Sequence, residues 1–393
     1  MTETETIDLL RRLMAIPSVN PEHTQDPDIA GEGRLAEFLA GWLEGRGARM
    51  AWEDGLDGRP NVVGVFGPET APRTLLLTAH MDTVGVEGMT IPPFEGRLDN
   101  GKVYGRGACD CKGPMVTGLS ALTPERVDRL SAAGWRLLFA GVFGEETGNL
   151  GADRLVRSGW RADRAIVLEP TDLAVVHAHK GALWLEIEAL GRPAHGSTPS
   201  LGVNAITGLL RVWQHIEQRH RDQLEQRRHP LLGPPTLSLG QVEGGTATNV
   251  VPARCIARLD RRILPDEDPA ALIAEVETAV CEVQAEGGLV SGAVRVIKNG
   301  RPFFTPPGAA LVRGLAQACE RSGVKPRLTG SGWYSDAGPL SALCPEIVVF
   351  GPGGIAQAHT ADEFIEVKCL QKACAILGAY LDGLARPGGE ETA

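Results

Sequence analysis

Four short apolar runs constrain what this chain can fold into more than any other feature of it. Residues 74–78, 135–143, 165–168 and 347–350 are dominated by Leu, Val, Ile, Phe and Ala. Runs of this length without polar alternation are those of strands buried on both faces. Helical and loop segments stand between them. Upstream, Leu35, Phe38, Leu39, Trp42 and Leu43 form one apolar stripe at helical spacing. The alternation predicts an α/β fold, a mostly parallel sheet covered by helices.

The middle of the chain follows a different rhythm. Residues 183–190 alternate from Leu185 onward like a half-exposed strand, a helix is predicted over 203–224, and 236–239 and 253–260 read as strands. A second helix is predicted over 268–286, with Pro269 in its first turn, and 294–297 closes the set as a strand. Strand-helix-strand-strand-helix-strand is a split βαβ, ferredoxin-like α+β module. The run 347–350 and the segment after it resume the first pattern, so the module is expected as an insertion. Residues 1–178 and 300–393 then form one discontinuous domain, and 179–299 the inserted one. The tail 386–393 has the composition of a frayed end.

A chain of 393 residues is long enough for two or three domains with separate cores. Its 49 Asp and Glu outnumber 39 Lys and Arg, and no basic block stands on a helix face, so a nucleic-acid partner is not expected. No stretch approaches the ~18 consecutive apolar residues of a membrane span. The first six residues lack the basic-then-apolar pattern of a secretion signal. A cytoplasmic location without a membrane partner is the expectation, and the eight dispersed cysteines are read there as thiols. Cys109 and Cys111 are spaced too tightly for a CxxC zinc or redox motif.

Each apolar run leads directly into residues that can bind a metal. The first leads to His80 and Asp82, the second to Glu145 and Glu146, the third to Glu169, and the fourth, through Gly353 and Gly354, to His359. Ligands of open α/β sheets bind beyond the carboxyl ends of the strands, so these side chains are expected along one rim. A glycine-framed loop, 105–113, presents Asp110 between the first two runs. Two neutral imidazoles, His80 and His359, with the carboxylates Asp110, Glu146 and Glu169, balance two divalent cations and one hydroxide. Mixed His and carboxylate ligation suits zinc, cobalt or manganese. Such a pair of ions lowers the pKa of a bound water and polarises a carbonyl. Gly144 and Gly148 bracket Glu145 and Glu146 as a turn, in which one carboxylate can bind metal while the other takes the proton of the water. Asp82, two residues beyond His80, is the natural partner to orient its imidazole. His177 and His179 share a strand face, but no nearby carboxylate completes a site and they read as structural.

The segments Thr-Ala-His-Met-Asp-Thr (78–83), Gly-Arg-Gly-Ala-Cys-Asp-Cys-Lys-Gly (105–113), Gly-Glu-Glu-Thr-Gly (144–148), Leu-Glu-Pro (168–170), Gly-Arg-Pro-Ala-His-Gly-Ser (191–197) and Ala-His-Thr (358–360) carry a family resemblance. The chain, over essentially its whole length, resembles the dizinc metallopeptidases and deacylases that include acetylornithine deacetylase, succinyl-diaminopimelate desuccinylase, aminoacylase and glutamate carboxypeptidase. The resemblance implies a first metal on His80 and Glu169 and a second on Glu146 and His359. It implies that Asp110 bridges them and joins the next residue through a cis peptide, and that Glu145 is the general base. The inserted domain would be a lid and dimerisation domain. In the homodimer, His195 would reach the partner's active site and help stabilise the oxyanion, while Asn249 and Arg262 contact the substrate carboxylate. Gly353 and Gly354 are taken as substrate-side positions, and 331–336 resembles a substrate-side loop. Arg262 can equally pair with Asp260 along its strand.

Within the family, Glu169 in place of Asp fits the deacylase and carboxypeptidase branch better than the aminopeptidase branch, and the stretch 343–359 resembles acetylornithine deacetylases most. The function implied is metal-dependent removal of the acyl group from an N-acyl amino acid, N-acetylornithine first. Succinyl-diaminopimelate, other acyl amino acids and dipeptides are alternatives on the same scaffold. A catalytically silent metal-binding protein is the non-enzyme alternative, disfavoured because ligands, base and His195 are all present.

Overall fold

The computed structural model describes residues 1–223 and 226–386. Leu224, the last residue of the helix expected over 203–224, and the tail from 387 onward lie outside the described residues. The chain separates into two compact units, one of residues 1–178, 304–330 and 335 onward, the other of 179–303 with 331–334.

In the first unit the four apolar runs are neighbours. Trp135–Val142, Arg73–His80, Arg164–Val167 and Glu346–Val349 lie side by side in that order, all parallel. Every residue from Leu75 to His80, and the whole of Arg164–Val167, is buried, as coverage of both faces requires. Antiparallel strands flank this core: Asn61–Phe66 and then Arg49–Glu53 on one side, Val175–His179 on the other. Helix Gly33–Glu44 packs on Asn61–Phe66 with Leu35, Leu39 and Leu43 of its stripe buried, each contributing about 1.5–3 kcal/mol. Helix Lys112–Ala121 is buried along its whole length, against Arg73–His80 and the helices Glu3–Met14 and Val367–Leu384. Its first residue follows directly on the Asp110 loop, so a fully buried helix anchors that loop.

The second unit is a four-stranded antiparallel sheet in the order Thr236–Gly244, Arg254–Ile263, Gly181–Leu190, Ser291–Gly300. That is the split βαβ, ferredoxin-like arrangement. Helices Ala205–Gln223 and Pro269–Ala285 cover one face, where Leu209, Val212, Val276 and Val280 join a core with Leu183, Leu185, Ile187 and Leu259. The other face is polar, with Glu186 held by Arg258 and Arg295. Asp268 accepts the N–H of Ala270 and caps the second helix ahead of Pro269. Among the described residues, no helix is long and apolar enough to cross a membrane.

Candidate metal centre

Because the four central strands run parallel, their carboxyl ends share one edge of the sheet, and the chain emerges there into polar residues. His80 is the last residue of its strand, Glu145 and Glu146 stand three and four residues past Val142, and Glu169 two past Val167. His359 lies ten residues past Val349, in left-handed backbone at φ 62°.

Asp110 is the pivot of the cluster. Its Oδ1 is 2.9 Å from His80 Nε2 and its Oδ2 is 3.3 Å from His359 Nε2. Glu169 Oε2 stands 3.8 Å from His80 Nε2, and Glu146 Oε1 stands 3.2 Å from His359 Nε2. Ligand atoms of His80, Asp110 and Glu169 lie within 4.8 Å of one another, as do those of Asp110, Glu146 and His359. Two triads therefore share one carboxylate that turns an oxygen to each. A set of two imidazoles and three carboxylates, all but His359 largely buried, fits two divalent cations. His80 Nδ1 lies 2.9 Å from the carbonyl oxygen of Asp82, which only accepts, so Nδ1 carries a hydrogen and Nε2 faces the carboxylates.

The electrostatics of the cluster follow from burial and from these close pairs. Hydrogen bonds that it donates to Asp110 and Glu146 push the His359 imidazole up to about 10. Burial raises Glu146 and Glu169 above the usual carboxylate range. Burial also works against Asp110, but the His359 and His80 imidazoles hold it well below that range. The peptide bond from Asp110 to Cys111 is cis, as the resemblance implies; that the Cys111 Sγ joins the first group was not foreseen in the sequence. Its thiol donates to the Leu168 carbonyl at 2.7 Å and burial pushes it well up, so it stands there as a neutral thiol.

A layer of polar contacts holds the rim together. The Asp82 carboxylate accepts the N–H groups of Glu145 and Glu146, both at 3.1 Å, and the Asn20 amide at 2.7 Å. It lies 3.5 Å from His80 Nδ1, so it ties the Glu-Glu turn to the His80 strand as well as backing the imidazole. Gly144 N–H donates to Glu32, whose buried carboxylate also takes the Arg59 guanidinium at 2.6 and 2.8 Å. Glu145 belongs to neither ligand group. Its Oε1 accepts from Asn149 Nδ2 at 3.1 Å, and the same amide donates to Asp336 Oδ1 at 3.0 Å. Desolvation raises Glu145 well above the usual range, and the charges of Asp336, Glu169 and Glu146 add to it. Asn20, Asn149, Asp336 and Glu363 escaped the sequence reading. Only the resemblance of 331–336 to a substrate-side loop pointed toward one of them.

Gly353 and Gly354 belong to the loop that leads to His359. Gly353 has φ +75°, and a Cβ there would stand 2.6 Å from Cys109 Sγ, so the loop closes on the Asp110 loop only with glycine. Their backbone carbonyls take Asp172 N–H and the Cys109 thiol.

His195, Asn249 and Arg262 belong to the second unit. His195 is exposed and its Nδ1 accepts the N–H of Ser197 at 3.2 Å, so in the neutral ring the hydrogen sits on Nε2. Asn249 is brought beside it, its carbonyl taking Gly196 N–H at 2.7 Å where His195 pairs with Val250. Arg262 directs Nε and Nη2 to Asp260 Oδ2 at 3.2 and 3.0 Å, the pairing its spacing allows.

Residues 76–383 match the peptidase family M20/M25/M40. The chain belongs to the M20 peptidase family. Acetylornithine deacetylase of Myxococcus xanthus is 32% identical over 351 residues, 87% of this chain and 90% of that protein. Among solved structures, the aminopeptidase PepT of Bacillus cereus covers 98% of this chain and 100% of its own with a TM-score of 0.78 at 22% identity. YxeP of Bacillus subtilis, a dinuclear metal-binding M20 peptidase, superposes with a TM-score of 0.71 at 16% identity, over 96% and 97% of the two chains. As an M20 protein this chain is a metallohydrolase, and its two triads form the candidate site for a dinuclear divalent centre.

Proposed function

We propose that this M20 metallohydrolase removes the acetyl group of N-acetylornithine. The observation that carries the reading is Glu145, a carboxylate beside two ligand triads but part of neither. The substrate is drawn from the 32% identity to acetylornithine deacetylase. Two divalent ions, zinc with cobalt or manganese as alternatives, held by His80, Glu169, Asp110, Glu146 and His359 would supply Lewis acidity toward water and the amide carbonyl.

Glu145 takes the proton of the attacking water and delivers it to the leaving amine. Its raised pKa supports a group that must act as base and then as acid. Asn149 fixes the rotamer of that carboxylate, and Asp82 fixes the turn that carries it. His195 is proposed as a donor to the oxyanion, a role that its Nε2–H tautomer supports. Asn249 and Arg262 are proposed for the substrate carboxylate, Arg262 by exchanging Asp260 for it. The second unit is proposed as lid and dimerisation domain of a cytoplasmic homodimer, tested by light scattering at twice the 41.8 kDa chain mass.

A panel of N-acetylornithine, N-succinyl-diaminopimelate, other N-acyl amino acids and dipeptides, with zinc, cobalt and manganese, tests the reading. Highest kcat/KM is expected for N-acetylornithine. Preference for another member replaces the substrate. Turnover of none, with two equivalents of metal bound, overturns the proposed activity.

A further inference from the structure

Two of the three ligands in the second triad come from segments far apart in sequence, Asp110 and His359, and one buried side chain spans the two. Strand Lys102–Tyr104 pairs antiparallel with Phe364–Glu366, in the register Lys102↔Glu366, Val103↔Ile365, Tyr104↔Phe364. The zipper continues one step further, where Gly105 N–H donates to the Glu363 carbonyl at 2.9 Å. Beyond that point the two arms diverge, one toward Asp110 and the other back toward His359. Glu363 stands at the fork.

Its carboxylate is completely buried and wholly engaged. Oε1 accepts the N–H groups of Cys109 at 2.8 Å and Asp110 at 2.9 Å. Oε2 accepts Gly107 N–H at 3.2 Å and Arg106 Nη1 at 2.7 Å. Four donors converge on one side chain, three of them backbone N–H groups of the Asp110 loop, and together they pin the loop to Glu363. Arg106 completes the clasp, since Nη1 also reaches the carbonyl of Thr360, next to His359, at 3.5 Å. Only an ionised carboxylate offers two acceptors to each side. A glutamine would turn an NH₂ group against N–H donors and lose the charge opposite Arg106.

We infer that Glu363 is a positioning residue for the second metal: it sets the spacing of Asp110 from His359 and so determines whether the Asp110–Glu146–His359 triad can close on a cation. The inference rests on the dinuclear reading. The first triad, on His80 and Glu169, draws its other two ligands from strand ends that Glu363 does not touch. Loss of Glu363 therefore acts unequally on the two sites.

Calorimetric titration of Zn²⁺ into metal-free protein, with the Co²⁺ absorption spectrum as a second readout, tests this. Wild type should take two equivalents. Glu363→Gln should keep one tight equivalent and bind the second at least ~10-fold more weakly, the scale of losing a partner that orients a ligand. Arg106→Gln, which leaves the three backbone donors in place, should fall between the two and serves if Glu363→Gln does not fold. Glu267→Gln removes a buried, arginine-paired carboxylate of the second unit and should leave both equivalents unchanged. Fewer than two equivalents on wild type would defeat the dinuclear reading itself. Two equivalents on wild type with an unchanged second affinity in both Glu363→Gln and Arg106→Gln would overturn the inference. So would equal weakening of both sites, or the same loss in Glu267→Gln.

Discussion

Glu145 and Glu146 are neighbours with opposite surroundings, and the difference lies in what each side chain meets. Glu146 faces His359 across 3.2 Å, whereas Glu145 meets an amide, Asn149, at 3.1 Å. The Asn149 amide spans two carboxylates, Glu145 and Asp336, that would otherwise repel. Glu145→Ala should keep both metals and lose at least ~10²-fold in kcat, the low end for removing a general base. Asn149→Ala should lose about tenfold in kcat, the cost of one hydrogen bond at ~1.4 kcal/mol, with little change in KM. Steady-state kinetics with metal analysis checks both, and wild-type turnover in metal-replete Glu145→Ala would remove Glu145 from the chemistry. Four of the candidate ligands, His80, Glu146, Glu169 and His359, were legible because each follows an apolar run and a strand end is a local feature; Asp110 was marked instead by the glycines that frame its loop. Asn149 and Asp336 were not, since 187 residues separate them and neither lies in a patterned segment. Arg262 marks the opposite limit: its two-residue spacing from Asp260 announced the ion pair found.

The elements of the first unit's centre were readable because burial on both faces leaves an uninterrupted apolar run. The second unit's strands were read short. Thr236–Gly244 and Ser291–Gly300 face solvent on one side, and register shifts between Leu239 and Gln241 and between Val296 and Lys298 break the alternation that reveals a strand. Their length comes from pairing with Arg254–Ile263 and Gly181–Leu190, which no local pattern encodes. The antiparallel flank of the first sheet was missed because Asn61–Phe66 is interrupted by Gly64. A Cβ there would come within 3.0 Å of Leu43, so the glycine admits the helix Gly33–Glu44. On helix Ala205–Gln223 the many Arg and Gln residues from His215 onward have the composition of a solvated face, yet His220 is half-buried. Burial, then the Arg261 and Arg227 guanidiniums, lower it to about 4, with Glu275 opposing. A histidine with a depressed folded pKa binds fewer protons folded than unfolded between that value and its ordinary ~6.5. Stability should therefore fall as pH drops from about 6.5 toward 4. Urea midpoints at pH 7 and 5 should differ less in His220→Gln than in wild type; an identical difference would assign the pH dependence to other groups.

At the scale of the molecule, the candidate metal centre would also act as a cross-link. Its candidate ligands are drawn from His80 to His359, and they meet only when the parallel strands are assembled. A cation held there binds the folded first unit and not the unfolded chain, so it stabilises by mass action, about 2.7 kcal/mol at a hundredfold excess over Kd. Chelation should lower the unfolding temperature of that unit by about 5–10 °C, the shift such an energy gives in a domain of this size. Among the described residues, neither triad includes a member of the second unit, so a calorimetric transition belonging to it should not move. The pH dependence follows from the protons that the cations displace. His359, raised to about 10 by Asp110 and Glu146, holds a proton at neutral pH until a cation takes its nitrogen. Glu146 and Glu169, raised by burial, add to that competition as pH falls. Metal binding should thus release protons, and the gap in unfolding temperature between loaded and metal-free protein should narrow from pH 8 to pH 6. Titrating in two buffers of different ionisation enthalpy counts the protons directly. A gap that is constant with pH, or verified loss of both ions without any change in unfolding, would mean that the triads do not couple metal to the fold.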